Sequence, residues 1–390
     1  MQILCVIYEY PPIGGGGSVV AAALNEQLAL DGHSVRVITS MMKGLAPDEA
    51  VAGVDVHRCA CFRTHRHYTT TAELLTTLLP AYKRAVEMIE QQRPDVIHAH
   101  FAVPSGVVAY FLWRRYRIPY VLTTHGSDIP GYNPDRFEFV HRLIRPLWKR
   151  IVKHAAAITS PSKYLANLLQ RSAPLPVNIV PNGYEPPKAR SSQGKRNLVL
   201  VVARLFPRKG VQHFIEAVSG LSTDWEYVIA GDGPFMTELK ARAEALKSPV
   251  KFAGFVDKAT LREMYLQARI FVFPSIQENF PMVLLEAMDA GCAVITTDAE
   301  GCAEVVGDTG IITPRANSLE LRHALAKLMN DEKTREQLSS SALARAQKFR
   351  WSRIAGQYVS IFDSVLQGED DAGKSVDLTA DERRSALKLV

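Results

Sequence analysis

Two glutamates, Glu278 and Glu286, flank a predicted strand-to-helix transition in the second half of the chain. The apolar run Phe271–Ser275 predicts a short buried strand, and Pro281 falls where the first turn of a helix would begin. The N-terminus of that helix, predicted to start at Met282, offers free N–H groups and the positive end of its dipole. A carboxylate before this point and another inside the helix can meet two parts of a polyhydroxylated ligand. The segment therefore predicts ligand binding rather than packing.

Two cations follow the predicted strand Asn197–Ala203, in the same half of the chain. Arg204 and Lys209 lie in the sequence Val-Ala-Arg-Leu-Phe-Pro-Arg-Lys-Gly, just past the end of that strand. Cations at the carboxyl end of a buried strand can face a diphosphate. Ordinary solvated charge is the alternative, but the neighbouring glutamate pair favours a ligand.

A run of four glycines, Gly14–Gly17, follows the predicted strand Ile3–Tyr8 and precedes the predicted helix Ser18–Leu30. Backbone N–H groups in this setting can cradle a phosphate. The run does not match G-x-G-x-x-G, and Thr39–Met41 offer no acid for the ribose of NAD. The glycines predict a phosphate or substrate contact, with a flexible turn as the alternative.

Three further features lie at predicted strand ends. Gly231-Asp-Gly233 is a turn that would let a nucleotide base approach the backbone, or it is a plain β-turn. His125 can hydrogen-bond a substrate across a cleft between domains, or it is structural. Of His98 and His100, we expect one to point into the core, and no third ligand is placed for a metal.

Length and composition indicate a globular protein of two domains. The chain has 390 residues, 47% of them hydrophobic and 22% charged. Five cysteines argue for a reducing compartment, and the N-terminal sequence lacks a secretory leader, so we expect a cytoplasmic location. A net charge of +6 implies an anionic partner. Nucleic acid is not expected, because aromatic residues do not alternate with the basic ones.

Each half of the chain alternates strands with helices, which predicts a doubly wound parallel sheet in each domain. We expect a first domain over residues 1–185, a linker over 186–196, a second domain over 197–350 and a final helix over 351–366. Residues 367–390 are polar and are expected to be largely disordered. The cleft between two such domains is the expected site.

These motifs, in this order, resemble the retaining glycosyltransferases of family GT4, which have the GT-B fold of two Rossmann-like domains. The resemblance extends over roughly residues 1–365. Its specific elements are the glycine run after Pro11-Pro12, His125-Gly-Ser-Asp128, Asn182-Gly183, Arg204 with Lys209, Gly231-Asp-Gly233 and Glu278 with Glu286. Each is weak alone, but the set is specific.

The resemblance implies that the second domain binds a nucleotide diphosphate sugar and the first binds the acceptor, with the final helix crossing back to the first domain. Arg204 and Lys209 would neutralise the leaving diphosphate, so neither a metal nor another cofactor is expected. Glu286 would bind the ribose. The implied catalytic residues are His125, Arg204, Lys209 and Glu278, and the implied donor-binding residues are Gly15, Gly16, Gly17, Gly231, Gly233, Asn279, Phe280, Pro281, Met282, Val283 and Glu286.

Two positions depart from the family pattern. Asn279 stands where relatives usually have glycine, and Asn182-Gly-Tyr-Glu185 replaces Asn-Gly-Val-Asp. Acceptor recognition is expected in the loops 59–68 and 130–139. The basic amphipathic segment Arg136–His154 would contact an anionic membrane, or its apolar face is simply core.

The resemblance implies transfer from a UDP-sugar, or next from GDP-mannose, to a glycan or lipid-linked acceptor, with retention of configuration. Biosynthesis of a cell-surface polysaccharide or glycoconjugate is the expected setting. The alternatives are an epimerase or phosphorylase of the same fold, or a non-catalytic protein that binds nucleotide sugars.

Overall fold

The computed structural model of the chain describes residues 1–66, 69–132, 134–186, 194–221 and 224–368, and of residues 134–141 only the backbone. Packing divides the chain into two units. The first comprises Met1–Pro161, Leu165–Val180 and the chain from Ile354 onward, and the second comprises Ser162–Tyr164 and Pro181–Arg353. Most of the expected linker and the expected disordered tail lie outside the described residues.

The first unit is built on a mixed sheet covered by helices. Its strands are β1 Gln2–Val6, β2 Ser34–Ser40, β3 Asp48–Val51, β4 Val54–Cys59, β5 Val96–His100, β6 Tyr120–Thr123, β7 Ala157–Ser160 and β8 Asn178–Ile179. Its helices are α1 Gly16–Leu30, α2 Thr71–Gln91, α3 Ser105–Tyr116, α4 Pro134–His154 and α5 Lys163–Ser172. The strand order is β3-β4-β2-β1-β5-β6-β7-β8.

The first sheet is parallel, as expected, except at one edge. Strand β3 pairs antiparallel with β4, while the other pairings in this sheet are parallel. The two-residue turn Ala52-Gly53 joins β3 to β4, and both turn residues have positive φ, +49° and +82°. Positive φ at both positions is the geometry of a tight hairpin. An antiparallel edge strand of this kind is common on doubly wound sheets.

The second unit has a six-stranded sheet whose pairings are all parallel. Its strands are β9 Arg196–Val202, β10 Glu226–Ala230, β11 Val250–Gly254, β12 Ala268–Phe273, β13 Ala293–Thr297 and β14 Ile311–Thr313. Its helices are α6 Val211–Val218, α7 Met236–Ala245, α8 Lys258–Gln267, α9 Met282–Asp289, α10 Glu300–Val306, α11 Ser318–Asn330 and α12 Glu332–Ala346. The strand order is β11-β10-β9-β12-β13-β14.

Both sheets reverse their winding direction once, and the reversal locates a crevice. In the second unit the chain moves outward one way from β9 and the other way from β12, which are neighbours. In the first unit β1 and β5 have the same relation. Ligands of doubly wound sheets bind beyond the carboxyl ends of the strands at such a switch point. Ligand contacts are therefore expected in the loops after β9 and β12 and in those after β1 and β5.

The last helix, α13 Trp351–Gln367, changes unit along its length, as the expected crossing back requires. From Ile354 onward it packs with the first unit, where Tyr358 and Phe362 are buried. No helix in the described part of the chain is both long and apolar enough to span a membrane.

Candidate active site

The loops after β9 and β12 are held together by their backbones. The short 3₁₀ turn Pro207–Lys209 follows β9, and the carbonyl of Arg208 accepts a hydrogen bond from the N–H of Ile276 at 2.8 Å. Gly210 has a φ of +68°, and a Cβ there would overlap the carbonyl oxygen of Pro274. Only glycine allows this approach, which sets Lys209 beside the loop after β12.

The approach joins two of the residues predicted from the sequence. Nζ of Lys209 makes a hydrogen-bonded ion pair with Oε1 of Glu278, and Oγ of Ser275 donates to the same carboxylate oxygen at 3.1 Å. The side chains of Lys209 and Glu278 are only 17% and 13% exposed. The lysine is therefore oriented and already paired, so an anionic ligand must compete with Glu278 for it.

Arg204 lies at the same carboxyl edge but is exposed. Its guanidinium lies 5.2 Å from the centre of the Phe206 ring, a cation–π distance. Within the described ranges, no carboxylate forms an ion pair with Arg204. Its charge is available to a ligand without displacing a protein partner.

Helix α9 supplies the third part of this region. Pro281 is its N-cap residue in an extended conformation, and the side chain of Glu286 lies one turn into the helix. Burial raises the pKa of the Glu286 carboxyl. A Cβ at Gly301 would overlap the carbonyl oxygen of Asn279, so this loop packs directly on the first turn of α10.

The Gly231-Asp-Gly233 turn approaches protein backbone. A Cβ at Gly231 would overlap the carbonyl oxygen of Ala203, and one at Gly233 would lie 2.8 Å from the backbone nitrogen of Leu205. The N–H of Leu205 also donates to the carbonyl of Asp232 at 2.9 Å. The two glycines thus let this turn pack against the backbone of the segment that carries Arg204. This contact by itself explains why both positions are glycine.

In the first unit, α1 begins at Gly16, two residues earlier than expected, with Gly15 as its N-cap. Sequence reasoning missed the residue beneath this loop, Glu9. Glu9 is 7% exposed, and its Oε1 accepts a hydrogen bond from the N–H of Gly15 at 3.4 Å. Burial raises the pKa of Glu9, which the nearby Arg63 opposes. A lone acid between an apolar strand and Pro11-Pro12 was the signal that could have found it.

His125 lies in a loop that Asp128 braces. Oδ1 of Asp128 accepts from the N–H groups of His125 and Gly126, each at 3.0 Å, and Oδ2 accepts from the N–H of Ala102 at 2.8 Å. Burial lowers the pKa of His125 to about 4, so the ring is neutral near pH 7. The ring of Phe101 lies 4.5 Å from that of His125.

The glycine run and His125 lie together. A Cβ at Gly17 would lie 3.4 Å from Cγ of His125 and 2.7 Å from the Phe101 ring. Phe101 follows β5 with a φ of +70°, rare for a residue with a side chain. The two predicted features of the first unit thus meet at its switch point.

The expectation that only one of His98 and His100 points into the core was wrong. Both side chains are fully buried. They are two residues apart on β5 and share one face of the sheet, and β5 is covered on both faces. Nε2 of His98 lies 2.7 Å from Oγ1 of Thr123, and Nδ1 of His100 lies 3.0 Å from Nε2 of His125.

The structure thus gathers the predicted residues into two groups, one at each switch point. Arg204, Lys209, Glu278 and the start of α9 belong to the second unit, and the glycine run with His125 belongs to the first. Of the expected acceptor loops, residues 67–68 and 133 lie outside the described part of the chain, and the side chains of 134–139 are also outside it.

Comparison with known proteins identifies the family of the chain. The family model for glycosyltransferase family 4 matches residues 14–187, and that for glycosyl transferases group 1 matches residues 185–345. An uncharacterized glycosyltransferase of Methanocaldococcus jannaschii is 27% identical over 392 residues, covering 94% of this chain and 99% of its own.

Two solved structures have the same fold at low identity. Sucrose-phosphate synthase from Thermosynechococcus elongatus superimposes with a TM-score of 0.76 at 20% identity, covering 95% of this chain and all of the other. HepE of Anabaena, solved with UDP, has a TM-score of 0.74 at 20% identity, covering 93% of this chain and all of its own. The two family models together span both units, and the chain belongs to the GT4-type glycosyltransferases with the GT-B fold.

Proposed function

We propose that this chain transfers a sugar from a nucleoside diphosphate sugar to a glycan or lipid-linked acceptor, retaining the anomeric configuration and using no metal. The observation that carries the proposal is the oriented Lys209 at the switch point of the second unit, with Arg204 at the same edge. Two cations and the N-terminus of α9 form a site suited to a diphosphate.

Each residue of the site has a separate role in the proposed reaction. Arg204 and Lys209 stabilise the negative charge that grows on the diphosphate as the bond from the sugar's anomeric carbon to the phosphate oxygen breaks. The acceptor oxygen bonds to the same carbon from the same face, and its proton passes to the leaving phosphate oxygen. Glu286 binds the ribose, and Glu278, released from Lys209, binds hydroxyls of the sugar.

We propose that residues of the first unit also contact the donor. The N–H groups of Gly15, Gly16 and Gly17 would approach the diphosphate, and His125, neutral at pH 7, would hydrogen-bond the sugar near the reacting carbon. Asn279 and the amides of Phe280–Val283 would contact the sugar and its phosphate. We place this reaction in cell-surface polysaccharide or glycoconjugate biosynthesis, in the cytoplasm.

For the donor we propose a UDP-sugar first and GDP-mannose second. Support comes from HepE, whose structures hold UDP and UDP-glucose. A thermal-shift panel of UDP-glucose, UDP-galactose, UDP-N-acetylglucosamine, GDP-mannose and ADP-glucose tests it. A donor present at 100 times its dissociation constant stabilises the fold by about 2.7 kcal/mol. Arg204→Gln should reduce the shift for each donor, whereas Lys240→Gln, an exposed lysine on α7, should not.

Turnover separates the proposed transferase from its alternatives. A transferase releases free nucleoside diphosphate faster when an acceptor is added, an epimerase converts the donor without an acceptor, and a binding protein leaves it intact. Equal release with and without EDTA is expected of a reaction that relies on Arg204 and Lys209. The anomeric proton of the product, followed by NMR before it equilibrates, reports retention or inversion.

Peripheral contact with an anionic membrane is a further part of the proposal. Helix α4 carries five exposed basic residues among its described side chains, namely Arg142, Arg145, Lys149, Arg150 and Lys153. Such a surface attracts acidic lipid by about 1 kcal/mol per charge. Lys149→Glu/Arg150→Glu should reduce sedimentation with phosphatidylglycerol vesicles at low salt, and Lys240→Glu/Lys247→Glu should not. Sedimentation that is equal for all variants would contradict it.

A further inference from the structure

The contact between His100 and His125 ties the charge state of one ring to that of the other. Nδ1 of His100 and Nε2 of His125 are 3.0 Å apart, and the rings are stacked with centres 5.3 Å apart. Burial lowers the pKa of His125 to about 4 and that of His100 well below its usual value. Near pH 7 both imidazoles are therefore neutral, and each carries a single proton.

Two neutral rings at this distance share one proton between the facing nitrogens. If that proton were on Nε2 of His125, the proton of His100 would lie on its own Nε2. That atom is buried and has no hydrogen-bond partner among the described residues. If the shared proton is on Nδ1 of His100, the buried Nε2 is a bare lone pair instead. Unpaired buried N–H groups are rarer in proteins than unpaired acceptors, so the second arrangement is favoured.

We propose that His100 is a positioning residue that donates its Nδ1 proton to Nε2 of His125 and thereby keeps the proton of His125 on Nδ1. His125 then presents a donor at Nδ1 rather than an acceptor. A donor at this point suits a lone pair of a sugar hydroxyl, and such a bond would fix the orientation of the transferred sugar. Only this last consequence rests on the proposed function, because the tautomer itself is a property of the protein alone.

A purely structural role for His100 is the competing explanation, and other contacts argue against it. Asp128 binds the backbone of His125, Gly126 and Ala102 through both carboxylate oxygens. The N–H of Phe101 also donates to the carbonyl of Thr123 at 2.9 Å. The loop is thus held without the bond between the two rings, which leaves orientation and tautomer of His125 as the contribution of His100.

NMR of ¹⁵N-histidine-labelled protein tests the tautomer without any substrate. In the unmodified chain at pH 7, the proton of His125 should couple to Nδ1, and the resonance is assigned by its loss in His125→Gln. His100→Leu should release the ring to a mixture of tautomers. His100→Asn places an amide N–H near the position of Nδ1 and should restore the Nδ1 proton. A proton on Nε2 of His125 in the unmodified chain would overturn the proposal.

The kinetic test uses the best donor of the panel and the same variants. His100→Leu should lower kcat by roughly tenfold with little change in the donor KM, because only part of the His125 population then keeps the Nδ1 proton that orients the sugar. His100→Asn should recover most of that loss. His98→Leu removes an equally buried histidine whose ring lies 4.2 Å from that of His100 but whose Nε2 contacts Thr123 rather than His125, so it controls for lost packing and should change kcat less than threefold.

The NMR test and the kinetic test can fail independently of each other. If the unmodified chain has no turnover with any donor of the panel, the proposed function fails while the NMR result still decides the tautomer. If His98→Leu and His100→Leu reduce kcat equally and His100→Asn rescues nothing, His100 is only a core residue and the proposal is wrong. Circular dichroism at the assay temperature confirms that each variant is folded.

Discussion

At the scale of single residues, the candidate site combines one cation held in an ion pair with one exposed cation. Lys209 is paired with Glu278, while Arg204 is exposed and has an aromatic ring beneath it. A partly buried charge left without its partner is costly. The ion pair therefore stabilises the site when it is empty, and in the proposed function it opens so that Lys209 can pair with the diphosphate instead.

Lys209→Ala should lower kcat by roughly 10²-fold through lost stabilisation of the leaving diphosphate. The variant also leaves Glu278 unpaired near an incoming anion, so donor affinity should fall as well. Adding Glu278→Gln should restore part of the affinity but not kcat, and the comparison of single and double variants isolates the pair. Lys240→Ala is the control, and near-normal kcat in Lys209→Ala would contradict the diphosphate assignment.

The buried histidines predict how stability depends on pH. Burial lowers the pKa of His98 to about 3, whereas an unfolded histidine titrates near 6.5. Below pH ~6.5 His98 binds a proton in the unfolded chain but not in the folded chain. The free energy of unfolding therefore falls as the pH drops. Each such group should cost about 1 kcal/mol per pH unit below this point.

Urea unfolding at pH 7, 6 and 5 measures this dependence. His98→Leu should have a shallower loss of stability between pH 7 and 5 than the unmodified chain. Equal slopes for the two proteins would mean that His98 is protonated in the folded state.

At the scale of elements, close backbone approaches position the site. The turn after β9 reaches the loop after β12 only because Gly210 lacks a side chain, and the Gly231-Asp-Gly233 turn lies against the segment of Arg204 for the same reason. Gly210 and Gly231 are needed for two reasons. Their φ angles are positive, and a side chain at either position would overlap neighbouring backbone.

Two glycine substitutions separate those causes. Gly210 and Gly220 both have positive φ, +68° and +79°, but a Cβ at Gly220 meets nothing within 4 Å. Gly220→Ala should therefore cost only the backbone term, about 1 kcal/mol. Gly210→Ala adds the overlap with Pro274 and should cost about 3 kcal/mol or more. Urea midpoints measure both, and similar costs would mean that the two loops separate easily.

At the scale of the whole molecule, the last helix follows the second unit in the sequence but contributes to the core of the first unit. The rings of Tyr358 and Phe362 lie 5.2 Å and 5.3 Å from that of His98. Phe362 is fully buried. The first unit thus takes part of its core from the far end of the chain, so its stability depends on residues that follow the second unit.

Phe362→Ala should cost roughly 3–5 kcal/mol, because it leaves a cavity in the first unit. Hydrogen exchange should rise in β5, β6 and β7 and remain low in β9, β12 and β13. Leu328→Ala, which removes a fully buried side chain of the second unit, is the counterpart and should have the opposite pattern. Equal loss of protection in both sheets would indicate that the units unfold as one.

Much of the fold could be predicted from the local sequence. Apolar runs that end in glycine, proline or polar residues predicted strands over Ile3–Tyr8 and Asn197–Ala203, which the structure has as β1 Gln2–Val6 and β9 Arg196–Val202. The same runs placed Arg204, His125 and Glu278 at strand ends. The hairpin of β3 and β4 was missed, because its short exposed edge strand has no apolar run to reveal it.

What the sequence by itself determined is therefore the alternation of strands and helices, the chemistry at each strand end and the family of the chain. Only the tertiary structure decided which of those residues meet. Lys209 and Glu278 are 69 positions apart and pair because β9 and β12 are neighbours in the sheet. His100 reaches His125 for the same kind of reason, because β5 and β6 are neighbours in the first sheet. Strand order is set by long-range packing, which no local spacing encodes.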